Sequence, residues 1–114
     1  MSIEWHNVCG TDDLVINSGV CALLNGQQIA IFKVGTAPDA GIYAVDNFDP
    51  QGKAQVIYRG IIGSIGDKTV VASPLYKQHF DLASGECIES PDQKLQVWPV
   101  RVQGNSVQIG TGAN

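Results

Sequence analysis

The sequence predicts an all-β domain built from many short antiparallel strands. Short apolar or alternating runs recur about every ten residues, and Gly, Asn, Asp or Pro separate them. No window repeats apolar residues at helical spacing for three turns. Asn25-Gly26 lies between two apolar runs and favours the positive φ angles of a type I′ turn, so it marks the clearest hairpin. This layout is typical of a sandwich or a small barrel.

The N-terminal half is predicted to contain four strands. The apolar and alternating runs place them at residues 5–9, 20–24, 29–34 and 42–46. Asp side chains bond backbone amides just ahead of them, so Asp12 and Asp13 favour a turn after the first strand. Residues 35–41 contain Gly, Pro and Asp and are predicted to form a loop.

The C-terminal half is richer in turn residues. Residues 47–54 read as turns, 56–58 as a short apolar run, and 61–65 and 69–72 as strands. A loop at 73–77 precedes an alternating run at 78–82, and a turn at 83–85 leads to a return strand from Glu86. Residues 95–102 alternate, and Pro99 within them suggests an edge or a bulge. A last strand is expected at 106–109.

Composition indicates one globular domain, residues 1–114. Apolar residues make up 44% and charged residues 16%, which favours a packed core over disorder. The net charge of −4 argues against nucleic-acid binding, which needs a basic face. No apolar run approaches the roughly 18 residues of a membrane span, and the N-terminus has no signal-peptide pattern. We expect a cytoplasmic protein that binds neither nucleic acid nor membranes.

The cysteines do not form a recognisable metal or disulfide pattern. Cys9, Cys21 and Cys87 are odd in number and widely spaced, so we expect three reduced, mostly buried thiols. Ser73, His79 and Asp81 lie close in sequence, but His79 and Asp81 share one face of a strand, and nothing brings Ser73 to either. We therefore expect no catalytic triad.

The stretch from Val70 to Cys87 resembles a known family. Residues 73–82 read SPLYKQHFDL and are followed by Gly85-Glu86. This is similar to the second ligand segment of Rieske-type domains, Cys-Pro-x-His-Gly-x-x-Phe-Asp-Leu followed by a Gly-Glu turn. Residues 43–47, YAVDN, resemble the strand that precedes the first ligand segment, Cys-Pro-His. Rieske domains bind a [2Fe–2S] cluster through two Cys and two His.

All four ligand positions implied by this resemblance are changed. Asp49 and Gln51 stand in the first segment, and Ser73 and Tyr76 stand in the second. Iron–sulfur cores favour thiolates, so a set of oxygen donors with one amide is a poor substitute. We therefore predict that these are degenerate ligand positions, and that this chain contains no catalytic, cofactor or metal site.

With these changes, the chain resembles the small subunit of cytoplasmic NAD(P)H-dependent nitrite reductase, from Trp5 to about Ile109. The resemblance implies an antiparallel, Rieske-like β-sandwich in which residues 47–90 form the former cluster-binding subdomain. It also implies a subunit that is not catalytic alone and docks on a large subunit. That large subunit would carry FAD, a [4Fe–4S] cluster and sirohaem and would reduce nitrite to ammonium.

Two other functions stay open at this point. One is a Rieske-type ferredoxin that carries electrons, against which the missing ligands argue. The other is a free-standing, metal-free module that binds another protein. A polar loop tip beside the lost cluster could still dock, because exposed loops often carry binding residues. The candidate docking residues are Tyr76, Lys77, Gln78 and His79, with residues 47–51 facing them.

Overall fold

The computed structural model describes residues 3–35, 41–75 and 77–112, and strands dominate this part of the chain. Two short 3₁₀ segments, Thr11–Asp13 and Ile57–Arg59, interrupt the strands. The strands are β1 Glu4–Gly10, β2 Ser18–Leu24, β3 Gln27–Lys33, β4 Ile42–Asp46, β5 Phe48–Asp49, β6 Ala54–Gln55, β7 Ile61–Ile65, β8 Lys68–Ala72, β9 His79–Asp81, β10 Val97–Trp98, β11 Val100–Gln103 and β12 Ser106–Thr111.

Two antiparallel sheets form the sandwich. One has the order β10-β4-β3-β2, and the other has the order β1-β12-β11. Ile29 and Ile31 of β3 pack against Val107 and Ile109 of β12, and all four side chains are fully buried. This burial of apolar area, at about 25 cal/mol per Å², holds the two sheets together. The antiparallel sandwich predicted from the sequence is confirmed.

A second core lies on the opposite face of β3. Ala30 and Phe32 point there, because successive side chains of a strand alternate between faces. They pack with Val71 and Phe80 of a separate three-stranded sheet, β7-β8-β9. Since β3 is buried on both faces, it is apolar without alternation, as its sequence shows. The β7-β8-β9 sheet and the small β5-β6 pair both fall within residues 47–90.

Most sequence predictions of individual elements hold. The Asn25-Gly26 turn has φ angles of 53° and 81°, as a type I′ turn requires. Strands predicted at 42–46 and 61–65 match β4 and β7. Of the predicted 35–41 loop, residues 36–40 lie outside the described part of the chain.

Four details go beyond what the sequence patterns indicated. Ile57 and Tyr58 of the short apolar run lie in a 3₁₀ segment, and the turns predicted at 47–54 include the β5-β6 pair. The return strand from Glu86 is present but short: the Asp81 N–H donates to the Glu86 carbonyl (2.9 Å) and the Ile88 N–H to the His79 carbonyl (2.8 Å), on the edge of β9 that faces away from β8. The run at 95–102 divides at Pro99: β10 pairs with β4, whereas β11 pairs with β12. Pro99 has no N–H for a ladder and therefore stands where the chain changes sheets.

In the described residues, we find no helix with the length and apolar character needed to cross a membrane.

Candidate functional site

Within residues 47–90, the turn that follows β5 contacts the loop that follows β8. Asp49 organises the first of these two loops. Its Oδ1 atom accepts hydrogen bonds from the backbone N–H groups of Gln51 (2.9 Å) and Gly52 (3.1 Å). Its backbone carbonyl accepts from the Lys53 N–H at 2.7 Å. The side chain is fully buried. Asp49 thus holds the turn after β5 in a fixed shape, as Asp side chains do in Asx turns.

Ser73 organises the second loop and joins it to the first. Its backbone N–H donates to the Gln78 carbonyl (2.9 Å), and its carbonyl accepts from the Lys77 N–H (3.0 Å). The Ser73 hydroxyl donates to Oδ2 of Asp49. Both side chains are buried, at 1% and 0% exposure. Two of the four degenerate ligand positions are therefore in direct contact.

The other two degenerate positions behave differently. Gln51 is exposed, and its side-chain carbonyl accepts a hydrogen bond from Nε2 of Gln93 at 2.9 Å. Tyr76 lies outside the described residues, so its predicted docking role stays a prediction.

The rest of the predicted docking loop is less uniform than the sequence indicated. Lys77 is exposed and has a φ of 59°, in the region that glycine favours. Gln78 and His79 are half-buried. The His79 backbone N–H donates to Oε1 of Glu89 at 2.8 Å, and its ring Nδ1 lies 2.6 Å from Oε2 of the same carboxylate.

Glu89 was not singled out in the sequence, because it lies in a polar connector ten residues from His79. Burial alone would raise the pKa of Glu89, but hydrogen bonds from the His79 backbone and ring outweigh burial and lower the pKa from its ordinary value. The charged carboxylate therefore ties the 86–90 segment to β9.

Ser73, His79 and Asp81 each contact a different partner. The Ser73 hydroxyl is bonded to Asp49, and the His79 ring contacts Glu89. Asp81 accepts from the Ala83 N–H at 3.0 Å and lies 3.8 Å from Nζ of Lys68. These three residues thus lack the pairing of nucleophile and base that acyl-transfer chemistry needs.

The three thiols are free, but they are less uniformly buried than expected. Cys87 is buried, Cys9 is half-buried and Cys21 is exposed. Burial is the main cause that raises the pKa of each, and protonated thiols are weak nucleophiles.

Comparison with known proteins decides the family. Residues 4–110 match the model of the Rieske-like [2Fe-2S] domain. A Salmonella typhimurium protein named nitrite reductase (NADH) small subunit is 38% identical over 106 residues, which is 93% of this chain and 96% of that protein. The chain belongs to the nitrite reductase small-subunit family of Rieske-like domains.

Two further relatives extend this finding. The solved structure of the E. coli small-subunit relative NirD is 36% identical and has a TM-score of 0.88, with 98% of this chain and 100% of that chain covered. A Klebsiella oxytoca protein named nitrite reductase [NAD(P)H] large subunit is 36% identical over 109 residues. That match covers 96% of this chain but 11% of the Klebsiella protein, so the chain spans a small part of that relative.

The residues of this chain do not fit the [2Fe–2S] cluster for which the matched Rieske-like family is described. The positions that the resemblance assigns to the two cysteine ligands hold Asp49 and Ser73, whose hard oxygen atoms suit an iron–sulfur core poorly. Their side chains bond directly to each other, which leaves no space for iron between them. The described residues also contain no group of three or more His, Cys, Asp or Glu side chains arranged to hold a metal ion.

The surface around the two loops also contains apolar features that the sequence analysis missed. The Leu75 side chain is 47% exposed and lies over Gly52, where an added Cβ would come within 2.4 Å of Leu75 Cδ1. A shallow cavity of about 240 Å³ adjoins the second loop. Its lining residues are Arg59, Ile61, Ala72, Ser73, Pro74 and Lys77. The SPL sequence could have indicated the exposed Leu75, since Pro74 keeps this part of the loop out of a strand.

Proposed function

We propose that this chain is the cluster-free small subunit of an NAD(P)H-dependent nitrite reductase that reduces nitrite to ammonium. It would dock on a large subunit that carries the FAD, [4Fe–4S] and sirohaem groups, and it would not be catalytic alone. The observation that carries the proposal is the bond between Ser73 and Asp49, at the two positions where a Rieske domain has its cysteines. A domain built this way keeps the Rieske-like fold without the donors for a cluster.

The Klebsiella relative supports the choice of partner. There, a segment 36% identical to almost all of this chain belongs to a protein named as the large subunit. Covalent linkage gives two domains a high effective concentration for each other, so a fused pair is expected to share a contact surface. We infer that the separate small subunit uses the same contact without a linker.

The docking surface proposed here is the end where the two loops meet. Exposed Lys77 supplies a charge at its rim, and Leu75 supplies apolar area that a partner could bury. Gln78 and His79, which are half-buried, would hold the loop in place. Tyr76, outside the described residues, stands between Leu75 and Lys77 in sequence and is the candidate anchor, since interface tyrosines bury a ring while pairing their hydroxyl.

A cytoplasmic location is part of the proposal. Free, exposed Cys21 supports it, because exposed thiols persist unpaired in a reducing compartment.

The test is capture of the large subunit followed by a binding titration. The tagged chain, expressed in its native cell, is expected to co-purify with a nitrite reductase large subunit identified by mass spectrometry. Tyr76→Ala should then weaken binding by about 1–2 kcal/mol, with an unchanged thermal melt. Gln103→Ala, on the exposed edge strand β11, is the matched control and should bind like the wild type. Failure to capture the large subunit would overturn the function, whereas equal affinity of Tyr76→Ala would move only the interface.

A further inference from the structure

The outer edge of β7 is an unused pairing surface. In the order β7-β8-β9, β7 pairs with β8 on one side, and no described strand lies on the other. The pairs run from Ile65 with Lys68 across a two-residue turn to Ile61 with Ala72. In such a hairpin the backbone N–H and C=O of the residue next to the turn, here Ile65, bond to the partner strand, and bonded and non-bonded residues then alternate. The N–H and C=O groups of Ile62 and Ser64 therefore point away from β8.

This edge lacks the features that normally prevent pairing between molecules. Edge strands are usually protected by charged residues, Pro or bulges. The strand reads Ile-Ile-Gly-Ser-Ile, without a charge or a proline, and its register has no shift. The Ile61 side chain is 77% exposed, and Ile65 is 39% exposed on the same face.

We propose that β7 pairs with β7 of a second copy of this chain, antiparallel about a two-fold axis at Gly63. In this register Ile62 lies opposite Ser64 of the second copy, so their outward backbone groups form four hydrogen bonds by symmetry. Ile61 lies opposite Ile65 of the second copy, and each covers the other. The inference goes beyond the proposed function and does not depend on it.

The charges at the two ends of β7 select the second copy as the occupant. Arg59 lies two residues before the strand, at the end of a 3₁₀ segment, and Asp67 lies in the turn two residues after it, so antiparallel pairing about Gly63 brings the Arg59 end of one copy beside the Asp67 end of the other. Neither residue forms an ion pair within the part of the chain that the structure describes. The symmetric contact therefore supplies an opposite charge at both ends.

Two-fold axes at the neighbouring residues match the side chains of the two β7 strands less well. An axis at Ile62 would place Ile61 opposite Gly63, and an axis at Ser64 would leave Ile61 beyond the end of the partner strand. Among these three axes, the one at Gly63 pairs Ile61 with Ile65 and also centres the oppositely charged ends of the two strands on each other. Gly63 also suits an axis that brings two backbones close, because a Cβ there would meet nothing within 4 Å in one copy.

The outer edge of β2 provides a control for the outer edge of β7. It is also an outer strand, but the Ile57–Arg59 segment lies against its start, where a Cβ on Gly19 would come within 2.6 Å of the Tyr58 carbonyl. By the same hairpin rule, the Leu23 N–H points outward on this edge. A proline at position 23 therefore removes the same kind of donor from the other edge.

Sedimentation velocity of the full chain, from micromolar to millimolar concentration, tests the proposal. The wild type should show a monomer–dimer equilibrium. Ser64→Pro removes an outward N–H from each copy and should raise the dissociation constant by at least about tenfold. Ser64→Ala keeps that N–H, and Leu23→Pro alters the other edge, so both should dimerise like the wild type. Thermal melts of all variants exclude unfolding as the cause.

A charge exchange tests the register. Arg59→Asp should weaken the dimer about threefold or more, and Arg59→Asp combined with Asp67→Arg should restore it. A wild-type chain that stays monomeric at millimolar concentration would overturn the proposal. Dimerisation weakened by Leu23→Pro but not by Ser64→Pro would also overturn it, because β2 would then be the interface. Binding of the large subunit that Ser64→Pro abolishes, with no wild-type dimer, would assign β7 to that subunit instead.

Discussion

Replacing Ser73 with alanine removes the one side-chain hydrogen bond that joins the described residues of the two loops around Asp49 and Ser73. Oδ1 of Asp49 keeps its two backbone donors, but Oδ2 loses the only donor that the described residues supply. Both residues are buried at 1% exposure or less, so water does not replace the lost donor without rearrangement. A hydrogen bond to a charged group contributes about 1.5–3 kcal/mol, and we expect a loss of about 2 kcal/mol in the free energy of unfolding.

Urea denaturation measures this loss directly. The midpoint should fall with an unchanged slope, and the melting temperature should drop by about 8 °C, at roughly 4 °C per kcal/mol for a chain of this size. Ser64→Ala is the control: Ser64 is exposed on strand β7, and the change should stay within about 0.5 kcal/mol. A Ser73→Ala variant as stable as the control would refute the reasoning, because the bond would then hold nothing together.

Two further predictions concern the surroundings of the site. Glu89→Gln should lower stability at neutral pH, and the loss should shrink as the pH falls below 4.5. The folded pKa lies below this ordinary value, so the stabilisation is fully present above 4.5 and disappears as the pH falls through the folded pKa. Urea midpoints measured from neutral to acid pH check this, and a loss that does not change with pH would contradict it. Gly85→Ala should cost about 3 kcal/mol, because φ is +82° and the new Cβ would lie 2.0 Å from the Leu95 carbonyl oxygen. Gly66→Ala, with φ +61° but open space, should cost about 1 kcal/mol, and melts that show equal losses would reject the steric argument.

The sequence predicted the sandwich because local patterns carry the relevant physics. Asn25-Gly26 has one favourable conformation, and the unbroken apolar run of β3 reflects burial on both faces. The sequence-based prediction failed where a strand distant in sequence decides which strands pair. Pro99 marks a change of sheet that a local reading sees only as a break, because β10 pairs with β4 whereas β11 pairs with β12.

The sequence analysis named the candidate site residues one at a time, but it did not predict the contact between Asp49 and Ser73. Each degenerate position was identified by comparison with a lost ligand, which says nothing about what the replacements do together. Asp49 and Ser73 are 24 residues apart, and their bond depends on how β5 and β8 are placed by the fold. The same reason explains why Glu89 was missed: only the geometry brings it to His79.

Native mass spectrometry of the complex captured through this chain tests the central claim most directly. One spectrum reports both the partner and the mass of the small subunit released from it. We expect a complex with the nitrite reductase large subunit, from which the small subunit is released at the mass of its polypeptide alone. A small subunit that carries the added mass of two irons and two sulfides, or one that is captured without a large subunit, would contradict the account.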